Sequence, residues 1–414
     1  SILSVSGHAN EVLTWDDCVR ETSSNNLSLK AAKEDVNSFS YKKRALWSNF
    51  LPAVNAGLSD SYGNSSIRSG SVVTPGTGAT SYYSVSVTAS QNLFAGFQNK
   101  AQLDQAQANM EVKEWTLADV KAQISFNLTS AFAQLMYAEE YVKLTDDIVK
   151  RRGDNFNLVR LRFEGGNENK GSFLLSKATL DGAELDHIQA LRFLEVAKQQ
   201  LASVLGRNKL GDDIEIKGDV PLTQPDTNVD IKSISTSIPG HQKALSQVKA
   251  SQSGLTIARS NFYPSLNLTG TSSRQGSSWF PQSRNWSVTL GLTIPLFNGG
   301  NDFYSTFSAA SALSSTIYSQ QDTDVQALFN IKQAYTSFLN AVEQVKVSNS
   351  FVAAATVRSE IGRAKYNNGI LLFEEWDIIE NDLINRQKTA LQNLRDRIIA
   401  EAAWLQAQGK GVIK

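Results

Sequence analysis

The sequence is poor in the residues that build chemical centres in proteins. One cysteine and three histidines occur among 414 residues. This excludes a disulfide within the chain, a cysteine-rich zinc site and a c-type haem attachment motif. His8, His187 and His241 are far apart in the sequence, and no group of residues has the pattern of a catalytic site. We therefore predict a protein that is not an enzyme and that uses no metal or cofactor.

The sequence also lacks an excess of charge and a long apolar run. It has 40 basic and 40 acidic residues, so nothing in its charge favours nucleic acid as a partner. No 18 consecutive residues are apolar, which excludes a transmembrane helix. Serine, asparagine and glutamine are abundant, as they are in soluble proteins and in membrane β-barrels, whose strands are half polar.

Proline is scarce, with 8 residues in the chain, and the stretch 99–163 contains none. Its apolar residues recur at alternating spacings of four and three, a mean of 3.5 that is typical of a left-handed coiled coil. We predict one helix over this stretch, about 100 Å long at 1.5 Å per residue. The seam consists of Ile124, Leu128, Ala131, Leu135, Ala138, Val142, Thr145 and Val149.

Shorter stretches alternate with a period of two, the pattern of a β-strand with one apolar and one polar face. Tyr83, Val85, Val87 and Ala89 alternate with Ser84, Ser86, Thr88 and Ser90. A second stretch places Trp286, Val288, Leu290, Leu292 and Ile294 on one face and hydroxyl residues on the other.

The chain contains an internal duplication. The segment 261–267 repeats the pattern of 49–55 at an offset of 212 residues, and the helical seam returns from Ala327 to Val352 at an offset of 203. The difference of nine falls in the loop between the strands, where insertions are tolerated. We predict a first repeat at 1–206, a linker at 207–230 that is irregular, and a second repeat at 231–414.

Each repeat is predicted to run helix, strand, loop, strand, very long helix, turn and return helix. In the first repeat these are a helix over 12–47, a hairpin at about 50–92, the long helix at about 99–163 and a return helix at about 172–205. In the second repeat they are a helix, a hairpin at about 262–295, a long helix at about 301–366 and a return helix at about 372–408. The fold class is α+β and mostly α.

The predicted strands have about 9–11 residues, which is the length that a tilted strand needs to cross a bilayer. Aromatic residues cluster near the strand ends, as they do at membrane interfaces. A soluble sandwich is the alternative, but four strands would make a very small one. An open four-stranded sheet cannot span a bilayer, because its edges would be unpaired. We therefore expect copies of the chain to close the sheet together, with three copies giving twelve strands.

Four short motifs, together with the duplication, resemble the outer membrane efflux protein (TolC-like) family over nearly the whole chain. They are Phe-Leu-Pro-x-Val at Phe50–Val54, Phe-Tyr-Pro-x-Leu at Phe262–Leu266, Leu-Phe-x-Gly at Leu93–Gly96 and again at Leu296–Gly299, and Arg-x-Lys-Tyr-Asn-Asn-Gly at Arg363–Gly369.

The resemblance implies a homotrimer with a 12-stranded β-barrel in the outer membrane of a Gram-negative cell, surrounded by its lipid. An α-helical barrel would continue through the periplasm. The partners would be a periplasmic adaptor and an inner-membrane transporter, and export through the channel would be passive.

The resemblance also implies an entrance at the turns between long and return helices. Carried over by position, it would use Arg160, Arg162, Glu164, Asn167, Glu168, Arg363, Lys365, Tyr366, Asn368, Glu375 and Asp377. Leu371 and Ile378 stand where some members of the family carry an arginine and a second acid.

Two other functions fit parts of this pattern. A protein-secretion (type I) exit duct would have the same fold as an efflux channel for small molecules. A trimeric coiled-coil stalk, with the strands as an anchor, belongs to a different class; the return helices argue against it, because a stalk needs no return path.

Overall fold

A computed structural model describes residues 11–63, 67–69, 72–74, 79–207, 214–226 and 228–414. The first half contains β1 (Glu11–Thr14), α1 (Trp15–Asn25), α2 (Leu27–Leu46), a 3-10 turn (Trp47–Phe50), β2 (Ala53–Gly63), β3 (Ile67–Ser69), β4 (Val72–Thr74), β5 (Thr80–Ala95), α3 (Gln98–Glu164) and α4 (Lys170–Leu205). The second half contains β6 (Ile214–Lys217), α5 (Ile231–Ser237), α6 (Pro239–Ser260), β7 (Ser265–Gly276), β8 (Ser283–Thr293), α7 (Asn301–Asn367) and α8 (Phe373–Ala407).

The two long helices, α3 and α7, have 67 residues each, or about 100 Å at 1.5 Å per residue. Their apolar seams face inward: Leu128, Leu135 and Ala138 in α3, with Ile331 and Phe338 in α7, are at most 1% exposed. The 3.5-residue spacing read from the sequence therefore marks the packed face of each helix.

The N-terminal helix is interrupted, so the prediction of one helix over 12–47 is wrong. Thr14 is the last residue of β1 and caps α1 through a capping box with Asp17. Asn26 then leaves the helical conformation at φ −58° and ψ 122°. Its side chain accepts a hydrogen bond from the Leu29 amide (3.1 Å) and donates one to the Val204 carbonyl (2.9 Å). Asparagine competes with the helical backbone in this way because its side chain supplies both a donor and an acceptor.

A four-stranded antiparallel sheet has the order β2-β5-β7-β8. Its register places Val87 beside Ala56 on one side and Ser272 on the other, and residues two apart along each strand share a face. We call the two sides the apolar face and the hydroxyl face. The apolar face carries side chains that are 37% to 83% exposed, namely Val54, Leu58, Val85, Val87, Leu268, Trp286, Val288, Leu290 and Leu292.

The hydroxyl face is held by polar contacts between strands. The Thr88 and Thr271 hydroxyls lie 3.3 Å apart, and the Asn92 amide donates to the Asn267 side chain at 2.8 Å. Alternation along the strands thus separates a surface of exposed aliphatic groups from a surface of hydroxyls and amides.

The segment 207–230 is not wholly irregular, which corrects the sequence-based expectation. Strand β6 lies within it and pairs in parallel with β1, Glu11 opposite Ile214 and Thr14 opposite Lys217. Ile214 is 2% exposed and joins the largest apolar cluster. This cluster also contains Leu13, Cys18, Leu29, Leu128, Phe132, Leu135, Leu201, Leu205, Ile398 and Ile413.

The chain divides into two compact units. One includes Trp115–Gln242, Thr323–Lys414 and the N-terminal segment up to Lys33, and the other consists of Glu34–Glu114 and Lys243–Asp322. Each unit contains residues from both predicted repeats, so the boundaries of the compact units differ from those of the repeats. None of the helices in the described residues combines the length and the apolar character needed to cross a membrane.

Candidate entrance at the helix turns

The two turns between long and return helices have the same backbone design. Gly166 has φ +73° and Gly369 has φ +71°, a conformation that glycine adopts without a side-chain penalty. The Asn167 amide donates to the Arg162 carbonyl at 2.8 Å, and the Ile370 amide donates to the Lys365 carbonyl at 2.9 Å. These bonds close a Schellman motif at the end of α3 and of α7, which fixes the direction in which each return helix leaves.

Tyr366 joins the two turns. Its side chain is 1% exposed, its ring stacks on Trp376 with centroids 4.4 Å apart, and its hydroxyl donates to a Glu168 carboxylate oxygen at 2.9 Å. The Arg162 guanidinium lies 4.7 Å from the ring centroid and donates to the Tyr366 carbonyl at 2.7 Å. Three of the predicted residues, Arg162, Glu168 and Tyr366, are therefore in direct contact.

The hydroxyl of Tyr366 is held in its protonated form. Burial raises the pKa of Tyr366. The neighbouring Glu168 carboxylate, which accepts a hydrogen bond from the hydroxyl, raises this pKa further. The phenol remains a donor throughout the physiological pH range, so the bond between the two turns does not depend on titration of the tyrosine.

Asp377 lies apart from this group, in a buried polar network between α3 and α8. Its carboxylate accepts a hydrogen bond from Arg152 at 2.8 Å and one from Asn381 at 2.8 Å. Arg152 also donates to the Asn381 side-chain oxygen at 2.6 Å. The Arg152 and Asp377 side chains are only 6% and 12% exposed.

The other predicted residues are exposed, and their contacts are weaker. Arg363 lies 3.8 Å from Asp154, and Arg160 lies 4.0 Å from Glu164, geometries that contribute little in solvent. The exposed members are Arg160, Glu164, Asn167, Arg363, Lys365, Asn368 and Glu375. They place basic, acidic and amide side chains on the surface of the two turns and of the helix ends beside them, and we call these seven residues the polar rim.

The residues predicted from the family resemblance do not include Arg152 and Ser359, which form buried polar contacts in this region. The spacing of both residues in the sequence could have identified them. Arg152 continues the α3 seam three residues beyond Val149, and Ser359 lies on the α7 seam seven residues, or two helical turns, beyond Val352. A polar residue on a packed face must find a partner. Arg152 finds Asp377, and the Ser359 hydroxyl donates to Glu380, which is 4% exposed.

No set of three histidine, cysteine or carboxylate side chains in the described ranges is arranged to hold a metal ion. The site offers hydrogen-bond donors, carboxylates and aromatic faces, which can close or line a passage between helices.

Known proteins share the sequence pattern and the fold. The family model for the outer membrane efflux protein matches residues 18–207 and 239–410. The probable efflux pump outer membrane protein TtgC of Pseudomonas putida is 21% identical over 411 residues, covering 94% of this chain and 81% of TtgC. The cation efflux system protein CusC of Escherichia coli is 22% identical over 328 residues, covering 76% of this chain and 68% of CusC.

The crystal structure of VceC from Vibrio cholerae has the same fold, with a TM-score of 0.84 and 19% identity over 96% of both chains. The resemblance inferred from the short motifs is confirmed by the family match, which spans most of both halves. The chain therefore belongs to the outer membrane efflux protein family.

Proposed function

We propose that the protein is the outer-membrane channel of an efflux assembly and that it conducts small molecules passively. Three copies would form it, with their sheets closed into one 12-stranded barrel and their long helices forming a tunnel. A member of this family resides in the outer membrane with a large periplasmic portion. A periplasmic adaptor and an inner-membrane transporter would supply substrate and energy.

The four-stranded sheet is the observation that carries this proposal. Its apolar face leaves aliphatic and aromatic side chains exposed, as Leu58 (83%) and Leu290 (62%) illustrate. A face of this kind is stable against lipid, while a hydroxyl face suits a water-filled lumen. The strands of 11 to 16 residues exceed the length needed to cross a bilayer at a tilt.

The edges of the sheet support the part of the proposal that requires more than one copy. In the described sheet β2 and β8 each have a single neighbouring strand, so each presents an unpaired row of amides and carbonyls. Such edges are not tolerated in hydrocarbon. Neighbouring strands in the order β2-β5-β7-β8 are antiparallel. If a second copy continues this order, its β2 lies beside β8 of the first copy and runs antiparallel to it, so the two edges can pair.

The helix turns are the second feature that bears on this proposal. The Tyr366 contact joins the two turns of one copy, and the exposed residues of the polar rim lie on the same turns and helix ends. We infer that this polar rim, repeated in three copies, forms the entrance through which substrate passes.

Electrical recording from planar lipid bilayers tests the channel. Purified full-length protein is expected to insert and to give stepwise, ohmic conductance, and to sediment in detergent as a trimer. A stalk with an anchoring sheet would insert without conductance. A stable monomer in detergent would contradict the closed barrel, because four strands cannot close alone.

A further inference from the structure

The sheet contains only three charged residues in its four described strands, and all three lie at one end of the apolar face. They are Asp60 in β2, Arg274 in β7 and Arg284 in β8. The strands are otherwise uncharged over their described lengths. A charged side chain on an apolar face costs free energy if lipid tails surround it. The position of all three charged residues at one end of the face therefore calls for a physical explanation.

The two arginines are placed side by side. Arg274 and Arg284 are direct partners in the β7–β8 register, and both are exposed. Their side chains project on the same side as Val288 and Leu290, because all four positions are even-numbered and share the register of this antiparallel pair. Like charges directly opposite each other destabilise a sheet, and neither arginine makes an ion pair or a hydrogen bond with another described residue.

The position along the strand is as informative as the pairing. Arg284 lies two residues beyond Trp286, which is 74% exposed, and eight residues from Leu292. That places it about 26 Å along the strand from the other end of the apolar face, at 3.3 Å per residue. At a tilt of about 40°, this path rises about 20 Å along the membrane normal, which places Arg284 towards the edge of an apolar band of about 25 Å.

Several aromatic side chains lie at the same end of the sheet as the two arginines. The loop between β7 and β8 carries Trp279 and Phe280, which are 71% and 80% exposed, and Trp279 packs edge-on against Tyr83 with ring centroids 5.4 Å apart. Exposed tryptophan at the end of a membrane strand is typical of the interface with lipid headgroups.

The end of the sheet that holds the arginines is the one that would face outward. Helices α6 and α7 enter and leave the hairpin at its other end. If the helices extend into the periplasm, as the proposed function requires, the β7–β8 loop lies on the external side and Arg274 and Arg284 lie in the outer leaflet.

We propose that Arg274 and Arg284 bind the phosphate groups of an anionic lipid of the outer leaflet. Two guanidinium groups on one face can grip a phosphate through parallel hydrogen bonds, and the ligand relieves the repulsion between them. Exposed aromatic and aliphatic side chains beside them accommodate the acyl chains. This proposal rests on the proposed membrane orientation and names a lipid partner for it.

Asp60 is the one carboxylate on the described sheet that competes for this site. It lies two strands away in the same copy, opposite Tyr83, and in a closed barrel the Asp60 of a neighbouring copy would approach Arg284. One carboxylate faces two guanidinium groups per copy, so a positive charge remains for a phosphate.

Native mass spectrometry of the detergent-solubilised full chain tests the site, with lipid A, a bisphosphorylated glycolipid, as the probe. The wild type is expected to retain lipid A, and Arg274→Gln with Arg284→Gln to weaken its binding by at least about tenfold. Arg274→Lys with Arg284→Lys keeps the charge without the planar fork and is expected to weaken binding less. Lys30→Gln with Lys33→Gln, which removes the same charge from exposed positions in α2, is the control and should bind as the wild type does.

Several results would overturn the assignment. One is equal binding of dephosphorylated lipid A, or equal binding by the glutamine variant. Another is full displacement of lipid A by millimolar inorganic phosphate, which would indicate a site for the free anion. A third is lipid A binding that appears only in Asp60→Asn, since Asp60 of the neighbouring copy would then occupy the arginines.

Conductance separates this proposal from the proposed function. The glutamine variant should form channels of wild-type conductance, because the arginines lie on the face opposite the hydroxyl face. A wild type that forms channels but fails the lipid tests refutes the lipid site alone, whereas a wild type without conductance refutes the channel itself.

Discussion

At the scale of single residues, Tyr366 shows how one side chain connects the two halves of the sequence. It lies on the seam of α7, where a spacing of 3.5 residues requires a packed group, and its hydroxyl reaches Glu168 in the other turn at 2.9 Å. Its position on the seam and its identity in the Arg-x-Lys-Tyr-Asn-Asn-Gly motif are visible in the sequence. Its partners Trp376 and Arg162 depend on how four helices meet, which no local pattern encodes.

The buried pair of Arg152 and Asp377 makes a stability prediction. Asp377→Ala leaves the Arg152 guanidinium buried without a carboxylate and should lower the free energy of unfolding by about 3 kcal/mol or more. Replacing both residues with apolar ones of similar size, Arg152→Met with Asp377→Leu, should restore most of the loss. Denaturant unfolding followed by tryptophan fluorescence measures both.

The exposed pair of Arg363 and Asp154 provides the matched control. Its charged atoms are 3.8 Å apart at the surface, so Asp154→Ala should cost less than about 1 kcal/mol. Equal losses for Asp377→Ala and Asp154→Ala would mean that the Arg152 network is solvated in solution.

Glu139 makes a pH prediction. Burial raises its pKa above the ordinary value of 4.5, and a hydrogen bond from the Ile216 amide opposes the shift in part. A carboxyl with a raised pKa in the folded state contributes stability below its unfolded pKa, and this contribution is lost as the pH rises through the folded pKa. Glu139→Gln should therefore raise the thermal midpoint at pH 7 and flatten its dependence on pH between 4 and 7.

The neighbouring Glu140→Gln is the control for this effect. Glu140 is exposed and pairs with Lys143 at the surface, 2.7 Å away, so Glu140→Gln removes a carboxylate from the same helix and leaves the buried Glu139 in place. A wild-type slope in Glu139→Gln would exclude Glu139 as the titrating group.

At the scale of elements, a helix or strand can be predicted from the sequence when its periodic pattern extends over many residues. The 67-residue helices repeat their seam many times, and the alternation of β8 covers 11 residues. Strand β6 has four residues and pairs with β1, about 200 positions earlier in the chain. A segment this short shows no period, and its pairing is decided by the burial of Ile214 in the core.

A pair of substitutions tests whether the apolar face contacts lipid and the hydroxyl face lines the lumen. Leu290→Lys places a charge on the apolar face near the middle of β8, where it should destabilise the inserted state by roughly 2–4 kcal/mol. Thr289→Lys places the same charge one residue away on the hydroxyl face and should insert normally, with altered ion selectivity. Trimer yield in outer-membrane fractions and reversal potentials in bilayers report the two effects, and equal yields for the two variants would argue for a soluble sandwich.

At the scale of the whole molecule, the two halves meet at the turns, and the entrance can be probed there with thiol chemistry. The native Cys18 does not interfere, because it is fully buried and burial raises the pKa of its thiol to about 12. Asn167→Cys and Asn368→Cys introduce exposed thiols beside Gly166 and Gly369.

We expect a bulky maleimide on either introduced thiol to reduce single-channel conductance, because three copies would place three such groups around one opening. Ser233→Cys on α5 is exposed as well and lies away from the turns in sequence, so its labelling should leave the current unchanged. The extent of labelling is measured by mass spectrometry in the same samples. Complete labelling of all three variants without a change in current would place the narrowest part of the channel somewhere other than these turns. The Tyr366 contact would then have only a structural role, that of holding the two turns together.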